Sequence, residues 1–326
     1  MVTIEIQHPH HFSREAMSPS VVALGYFDGV HLGHQHVILT AKKIAEQKGL
    51  SSAVMTFYPH PSVVLGRDVK HVEMITPLPD KIKQIEELGI DILYLIHFDK
   101  DFAGLLPQEF VDQYVIGLNI QHVVAGFDYT YGKLGKGTME TMPFHSRNRF
   151  TQTIVEKLTS KHNEKVSSTL IRDCLKEGKV EELPSLLGRH YTVKGKVVHG
   201  DKRGRTIGFP TANIELSDQY LIPKVGVYAV EMLVNDTWYE GVCNVGYKPT
   251  FHQHLDKPTI EVHLFSFKED IYDQDVMVKW HKMLRTERKF SGIEELVNQI
   301  SFDKQQAETY FSLNLRKSLL KSVQNK

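Results

Sequence analysis

Four helix-forming segments in the first half of this 326-residue chain, 32–48, 77–88, 107–116 and 168–177, are each followed by a glycine, at Gly49, Gly89, Gly117 and Gly178. Glycine adopts the left-handed backbone that stops a helix, so each marks a predicted helix end. Around these segments lie short apolar runs of strand length, 21–24, 52–57, 90–98, 122–126 and 150–155. Strands that alternate with helices are joined by crossovers, which makes them parallel members of one sheet with helices on its faces. An open parallel sheet binds its ligand beyond the carboxyl ends of its strands.

After a short helical piece and linker at 181–189 the apolar pattern changes. Its period drops from about 3.6 residues to about 2. Segments 191–198, 226–233, 237–245, 259–266 and 275–282 follow one another with no helix between them. Consecutive strands pair antiparallel, and closure into a barrel removes their exposed edges. A capping-box pattern, Ser291-Gly292-Ile293-Glu294, opens a last helix predicted to run in two pieces to about residue 314. The expectation is two domains: 1–186, an α/β sheet, and 187–326, a β-barrel with a C-terminal helix. The chain is long enough for two cores.

Lys plus Arg and Asp plus Glu number 39 each. That balance offers no basic field for nucleic acid and no polybasic patch for a membrane. The apolar runs fall far short of the roughly 20 residues of a membrane span. Residues 1–13 carry several histidines and lack a signal peptide's apolar core. Cys174 and Cys243 are the only cysteines, one in each half, so no disulfide framework is implied. These features predict a cytoplasmic protein that acts on small molecules, a monomer or weak homo-oligomer.

The stretch Gly25-Tyr26-Phe27-Asp28-Gly29-Val30-His31-Leu32-Gly33-His34 joins the first predicted strand to the first helix. Free backbone N–H groups and the helix dipole favour an anion there, and Gly25, Gly29 and Gly33 keep side chains off a backbone that must approach it. His31 and His34, three residues apart, can address one phosphate, while the plainer reading is a surface turn with two incidental histidines. The Phe57-Tyr58-Pro59-His60-Pro61 loop holds His60 out of regular structure, a feature more often structural than chemical. In the second half, residues 200–213 combine Gly200, Gly204 and Gly208 with Lys202, Arg203 and Arg205, which suits a flexible anion-binding loop. Glu261 and His263 share one face of an alternating strand, usually no more than a wet surface.

Together these motifs resemble the bacterial riboflavin kinase/FAD synthetase family, in family order from about residue 20 to residue 311. Gly25–His34 is similar to the GxFDGxHxGH form of that family's nucleotidyltransferase site. The resemblance implies a Rossmann-like adenylyltransferase domain followed by a riboflavin kinase barrel. Riboflavin becomes FMN and FMN becomes FAD, each step using ATP with Mg²⁺. It implies catalysis by His31 and His34, with Gly25, Phe27, Asp28, Gly33 and His60 at the nucleotide. Val124–Lys133 resembles the second nucleotide segment, giving Asp128 and Tyr131 to the flavin, although Tyr131 is equally suited to packing the loop. Val166-Ser167-Ser168-Thr169-Leu170-Ile171-Arg172 resembles SSTxIR, in which Ser168, Thr169 and Arg172 hold the leaving pyrophosphate; a serine there also caps the helix.

Residues 204–213 match the kinase signature ending in Pro210-Thr211-Ala212-Asn213. The match implies nucleotide contacts from Gly204 and Gly208, and Mg²⁺ and phosphate binding by Thr211 and Asn213. Glu261 becomes the base for the riboflavin hydroxyl, and Arg285, in Leu284-Arg285-Thr286-Glu287-Arg288-Lys289-Phe290, contacts the flavin or forms a barrel-to-helix salt bridge. The run 244–250 matches scaffold and pocket-wall positions. Two departures stand out. Tyr58 replaces a family Glu, and Ile271-Tyr272-Asp273 replaces Leu-Tyr-Gly, where a glycine would supply positive φ. The alternatives are a single-activity FAD synthetase with a decayed kinase half and a non-catalytic flavin-binding regulator.

Overall fold

The structure, a computed structural model, describes the chain except residues 67–71, 161–162, 201–202, 248–257 and 325–326, and except the side chains of 203, 205 and 316–324. Lys202 of the basic loop and residues 248–250 of the pocket-wall run lie outside the described residues. The chain forms two compact units, Met1–Ser168 and Thr169–Lys326. The helix Ser168–Glu177 therefore belongs almost wholly to the second unit, although the sequence expectation sets the boundary after residue 186.

The first unit is built on a six-stranded sheet of β1 (Val2–Ile6), β2 (Ser20–Leu24), β3 (Ser51–Tyr58), β4 (Ile92–His97), β5 (Ile120–Gly126) and β8 (Thr151–Val155). Between β5 and β8 lie β6 (Thr130–Tyr131) and β7 (Gly137–Thr138), a small separate hairpin. The sheet order is β1-β4-β3-β2-β5-β8, and every neighbouring pair is parallel. Because both faces are covered, the central strands β2, β3 and β5 are buried along most of their length rather than alternately, and every residue of β2 is buried. The helix Leu32–Lys48 packs Val37, Ile38, Ala41 and Ala45 on one face, while Phe102, Phe110 and Tyr114 fill the core on the other. Only β1 escaped the sequence reading. It is a short edge strand with Thr3 and Glu5 exposed, so it lacks the apolar run that marks its neighbours.

Gly49, Gly89 and Gly178 end their helices at positive φ, as expected. Gly117 does not: its φ is −63°, and the left-handed residue after that helix is Asn119. Asn tolerates this conformation better than most residues, and here its amide is held by a long-range hydrogen bond, donating 2.8 Å to the Met17 carbonyl.

The second unit is a closed six-stranded antiparallel barrel in the order β10-β13-β12-β11-β14-β9. Its strands are β9 (Thr192–Val198), β10 (Ala212–Leu216), β11 (Gly226–Val234), β12 (Thr237–Gly246), β13 (Thr259–Leu264) and β14 (Asp275–Arg285). Tyr228, Cys243, Val262 and Trp280 share one face through their cross-strand pairing and are all essentially buried. The opposite face, with Val227, Ala229 and Val242, packs with Ala307 and Phe311 of the C-terminal helix. That helix, Ile293–Gln324, is continuous rather than in two pieces, since it contains no Gly or Pro to break it. Arg285 fastens it to β14, donating from Nε and Nη2 to the buried Asp303 carboxylate at 2.9–3.0 Å.

Asp273 has φ 61° and its amide donates 2.8 Å to the Val197 carbonyl, so the residue replacing the family glycine adopts the backbone a glycine would supply. Replacing Asp273 by Gly should stabilise the barrel by up to about 1 kcal/mol, read as a higher denaturation midpoint. A lower midpoint would show that the Asp side chain itself supports this turn.

Candidate functional site

The strand order of the first sheet reverses between β2 and β5, and the Gly25–His34 turn leaves β2 at that crevice. The turn is strained. Phe27 is buried with φ 57° and Val30 has φ 38°, both left-handed values that bulky residues avoid. Gly25 makes room for the first of these, as a Cβ there would lie 2.6 Å from the Phe27 ring. Asp28 is 4% exposed, and its carboxylate accepts from the Thr76 amide at 3.0 Å and the Ile75 amide at 3.4 Å. Its carbonyl accepts from the Ser168 hydroxyl at 2.8 Å, so Ser168 joins this turn.

The Tyr26 carbonyl accepts from Thr56 Oγ1 at 2.8 Å and from Lys81 Nζ at 2.9 Å. Lys81 is 1% exposed, and its ammonium also lies 4.2 Å from the centre of the Tyr26 ring. Burial lowers it to about 8, with the Asp28 carboxylate pulling the other way. Sequence reasoning missed Lys81, although a signal existed: it stands one helical turn before the buried Ile85, on the same inward face.

His31 caps the helix, its Nδ1 accepting from the His34 amide at 3.1 Å, which places the ring proton on Nε2. The two imidazoles stack with centres 3.5 Å apart, and Phe27 meets His34 edge-on at 5.2 Å. Burial pushes His34 well below its usual value, and its neighbours His31, Lys81 and Lys165 lower it further. Its Nδ1 has no hydrogen-bond partner among the described residues. Gly33 allows the close approach, since a Cβ would come within 3.2 Å of the Val166 carbonyl.

The remaining predicted residues of this unit sit nearby in varied roles. His60 accepts from the Ser62 amide at 3.0 Å and meets the Tyr26 ring edge at 4.5 Å. Asp128 is ion-paired with Lys165, whose ammonium lies 4.8 Å over the Phe127 ring. Tyr131 is 4% exposed, packs on Phe110 and shares a 2.8 Å hydrogen bond with His145, so it supports the loop from within the core. In the second unit, Thr169 is exposed and Arg172 half-buried on their helix.

In the barrel, Asn213 pairs with Glu261, and Glu261 with Asn244, across three adjacent strands. Directly paired residues share a face, so the three side chains form one polar row. It lies on the outward side, the side that carries Val242. A Cβ at Gly204 would sit 2.3 Å from the Phe209 carbonyl and 3.5 Å from the Thr211 hydroxyl, so only glycine fits that turn. Gly208 has φ 87°. His263 bonds the Pro210 carbonyl at 2.8 Å, fixing the signature loop to β13. Beside Thr211 opens a cavity of about 310 Å³, walled by Val197, Val262, Leu264, Ile271 and Tyr272. Arg285 forms with Asp303 the barrel-to-helix salt bridge named as its alternative, and it also donates 3.1 Å to the Thr286 carbonyl.

Residues 13–170 match the FAD synthetase family model and residues 187–311 the riboflavin kinase model. The bifunctional riboflavin kinase/FMN adenylyltransferase of Bacillus subtilis is 58% identical over 97% of this chain and the whole of its own. That of Listeria monocytogenes is 49% identical over 96% and 99%. A Streptococcus pneumoniae crystal structure titled a macrolide-efflux protein is 36% identical, covering 93% of this chain and 97% of its own at TM-score 0.83. Among the described residues no helix is long and apolar enough to cross a membrane. With both models matched and two such relatives aligned over nearly their full lengths, the chain belongs to the family of bifunctional riboflavin kinase/FMN adenylyltransferases.

Proposed function

We propose that the Met1–Ser168 unit carries the centre at which FMN is adenylylated to FAD, and that the barrel phosphorylates riboflavin to FMN. One observation carries the reading. The chain holds two differently built polar clusters, a stacked imidazole pair at a helix N-terminus and an amide–carboxylate–amide row on a barrel. A flavin-binding regulator has no use for both. The decayed-kinase alternative loses its ground, since Asp273 adopts the positive φ that a glycine would.

In adenylyl transfer a phosphate oxygen of FMN attacks the α-phosphorus of ATP, and the bond to the bridging oxygen of pyrophosphate breaks. His31 and His34 stabilise the charge that builds on the phosphoryl oxygens, where preorganised donors act most strongly. Gly25, Phe27, Asp28 and Gly33 shape the turn, and His60 lends support beside Tyr26. Ser168, Thr169 and Arg172 keep the role that the resemblance implies, binding the leaving pyrophosphate, and Asp128 addresses the flavin. Tyr131 serves the flavin only through the loop that it anchors.

In the kinase reaction the 5′-hydroxyl of riboflavin attacks the γ-phosphorus, its proton passes to Glu261, and ADP leaves. The 310 Å³ cavity, lined by Thr211 and by apolar side chains such as Val197, Leu264 and Ile271, receives the adenine of this ATP, with Gly204 and Gly208 admitting its phosphates. Thr211 and Asn213 offer neutral oxygen donors beside the Glu261 carboxylate. That set fits Mg²⁺, which keeps several waters and shares its ligands with nucleotide phosphates. Among the described residues no cluster of three His, Cys, Asp or Glu forms a cage of its own, in keeping with a metal that arrives with ATP. When bound, Mg²⁺ supplies neutralisation of phosphate charge. Arg285 reaches flavin only with the donors left over from Asp303. A cytoplasmic monomer or weak homo-oligomer suits an enzyme fed by ATP and free flavin.

A chromatographic time course from riboflavin, ATP and Mg²⁺ should show FMN and then FAD, and one from FMN should show FAD directly. Absence of any flavin product would sink the reading. His31→Ala should lower FAD formation by at least about 10²-fold while the kinase rate stays near normal; equal loss of both in folded protein would refute the assignment. Glu261→Gln should lower kinase turnover by about 10²–10⁴-fold and spare adenylylation, as expected for removal of a placed base. A kinase rate that survives this change would require a different base.

A further inference from the structure

Lys81 is a fully buried lysine whose hydrogen bonds among the described residues go to neutral oxygens. Its ammonium donates 2.9 Å to the Tyr26 carbonyl and 3.3 Å to Thr56 Oγ1, and faces the Tyr26 ring at 4.2 Å. A lysine has three N–H donors, and two of these contacts use hydrogen bonds to neutral acceptors. Burying a charge on such terms is costly, and a methionine of similar length would fill the space without that cost. Its position accounts for keeping it. The Tyr26 carbonyl belongs to the peptide that leads into Phe27, held at φ 57°, and the helix that carries Lys81 starts just after the two amides that bind Asp28. The charge thus reaches the turn from the side opposite to solvent.

Resting on the adenylyltransferase reading above, we propose that Lys81 is a positioning residue for FAD formation: it holds the strained Tyr26–Asp28 turn through the Tyr26 carbonyl and adds fixed positive charge behind the His31–His34 pair. The charged and titratable groups that face this point are Asp28 and Tyr26 on the turn, His31 and His34 at the helix start, and Lys165 on the loop before Ser168. Burial above all, and then His31, Lys81 and Lys165, disfavours charge on His34, while Asp28 offsets part of the burial that lowers Lys81. His34 therefore works as a neutral imidazole with a proton on one nitrogen. Two consequences for pH follow. Below neutrality, Lys81 keeps His34 from charging, so loss of Lys81 lets His34 take up a proton at higher pH. Above about pH 8, Lys81 itself loses its proton, and the turn loses its charged anchor.

The experiment measures the rate of FAD formation from FMN and ATP across pH 5.5–10, a range that brackets the ordinary His value of about 6.5 and the lowered Lys81 value of about 8. It compares the full-length wild type with Lys81→Met and Lys81→Arg, with folding followed by thermal melting. The wild type should lose activity above about pH 8, while Lys81→Arg, whose guanidinium stays charged, should hold activity to higher pH. Lys81→Met should lose at least about tenfold in kcat at neutral pH with its acid limb moved upward, and riboflavin phosphorylation should be unchanged. If the methionine variant does not fold, the comparison of wild type with arginine carries the test alone. A folded Lys81→Met with an undiminished rate and an unmoved profile overturns the inference and leaves the transferase reading intact. A wild type with no FAD formation overturns the transferase reading and this inference with it.

Discussion

The nucleotidyltransferase unit depends on a turn that would not hold itself. Phe27 and Val30 both adopt left-handed backbone, a cost of roughly 1–3 kcal/mol each for such residues. The compensation comes from around the turn rather than within it. The Tyr26 carbonyl takes two hydrogen bonds, from Thr56 and Lys81, and the Asp28 carboxylate takes two more from the amides of Ile75 and Thr76. Phe27 is driven into the core against Val21 and Val37, which share its cluster. Strain at this point aims the His31 ring back onto the His34 amide, so the helix cap and the imidazole pair are one structure. The strain is thus paid for by the sheet and the 74–81 segment.

The barrel solves the same problem by register. A one-residue slip of β13 would turn Glu261 inward and Val262 outward. The pairing of Cys243 with Val262 prevents it, because both are at most 1% exposed in the barrel interior and neither has a polar partner to gain outside. The apolar interior therefore fixes the place of the polar row. The Asp303–Arg285 pair then holds the C-terminal helix over the outward face, close to strand β14 and without any glycine or proline to interrupt it.

The sequence disclosed whatever had a period or a motif. The parallel strands showed as apolar runs because both faces are covered, and the barrel strands showed as alternation because one face is polar. The strand that carries Glu261 was legible from the alternation of 259–264 and the residue itself only through the family resemblance, while the two histidines stood out by their spacing at a helix start. Strands β1 and β10 were not read as strands, since Thr3, Glu5, Asn213 and Glu215 interrupt any apolar pattern in five residues. Lys81 was hidden differently. Its position was readable as inward, but a lysine on an apolar helical stripe is ordinarily a chain end reaching for water. Only the tertiary contact with the Tyr26 carbonyl identifies it. The helix ends at Ile116 before Gly117 as expected, but the left-handed residue is Asn119, two residues on, which can take that backbone as well as glycine can.

On the proposed assignment of the two reactions, the difference between the two sites follows from their nucleophiles. A phosphate monoester is already largely ionised at neutral pH, its second pKa lying near 6. Its oxygen needs no base, and a carboxylate beside it would only repel it. Imidazoles, one kept neutral by burial, and buried or paired ammonium groups are what such a reaction requires: donors and positive potential. The riboflavin hydroxyl is in the opposite situation. It carries a proton that must go somewhere as the oxygen attacks, and a carboxylate is suited to accept it. The N-terminal unit supplies His31, His34, Lys81 and Lys165 around its turn and commits Asp28 to backbone amides, while the barrel presents Glu261 between two asparagines whose amides can orient it without competing for the proton. An exchange of these side-chain sets would leave each nucleophile facing the wrong charge.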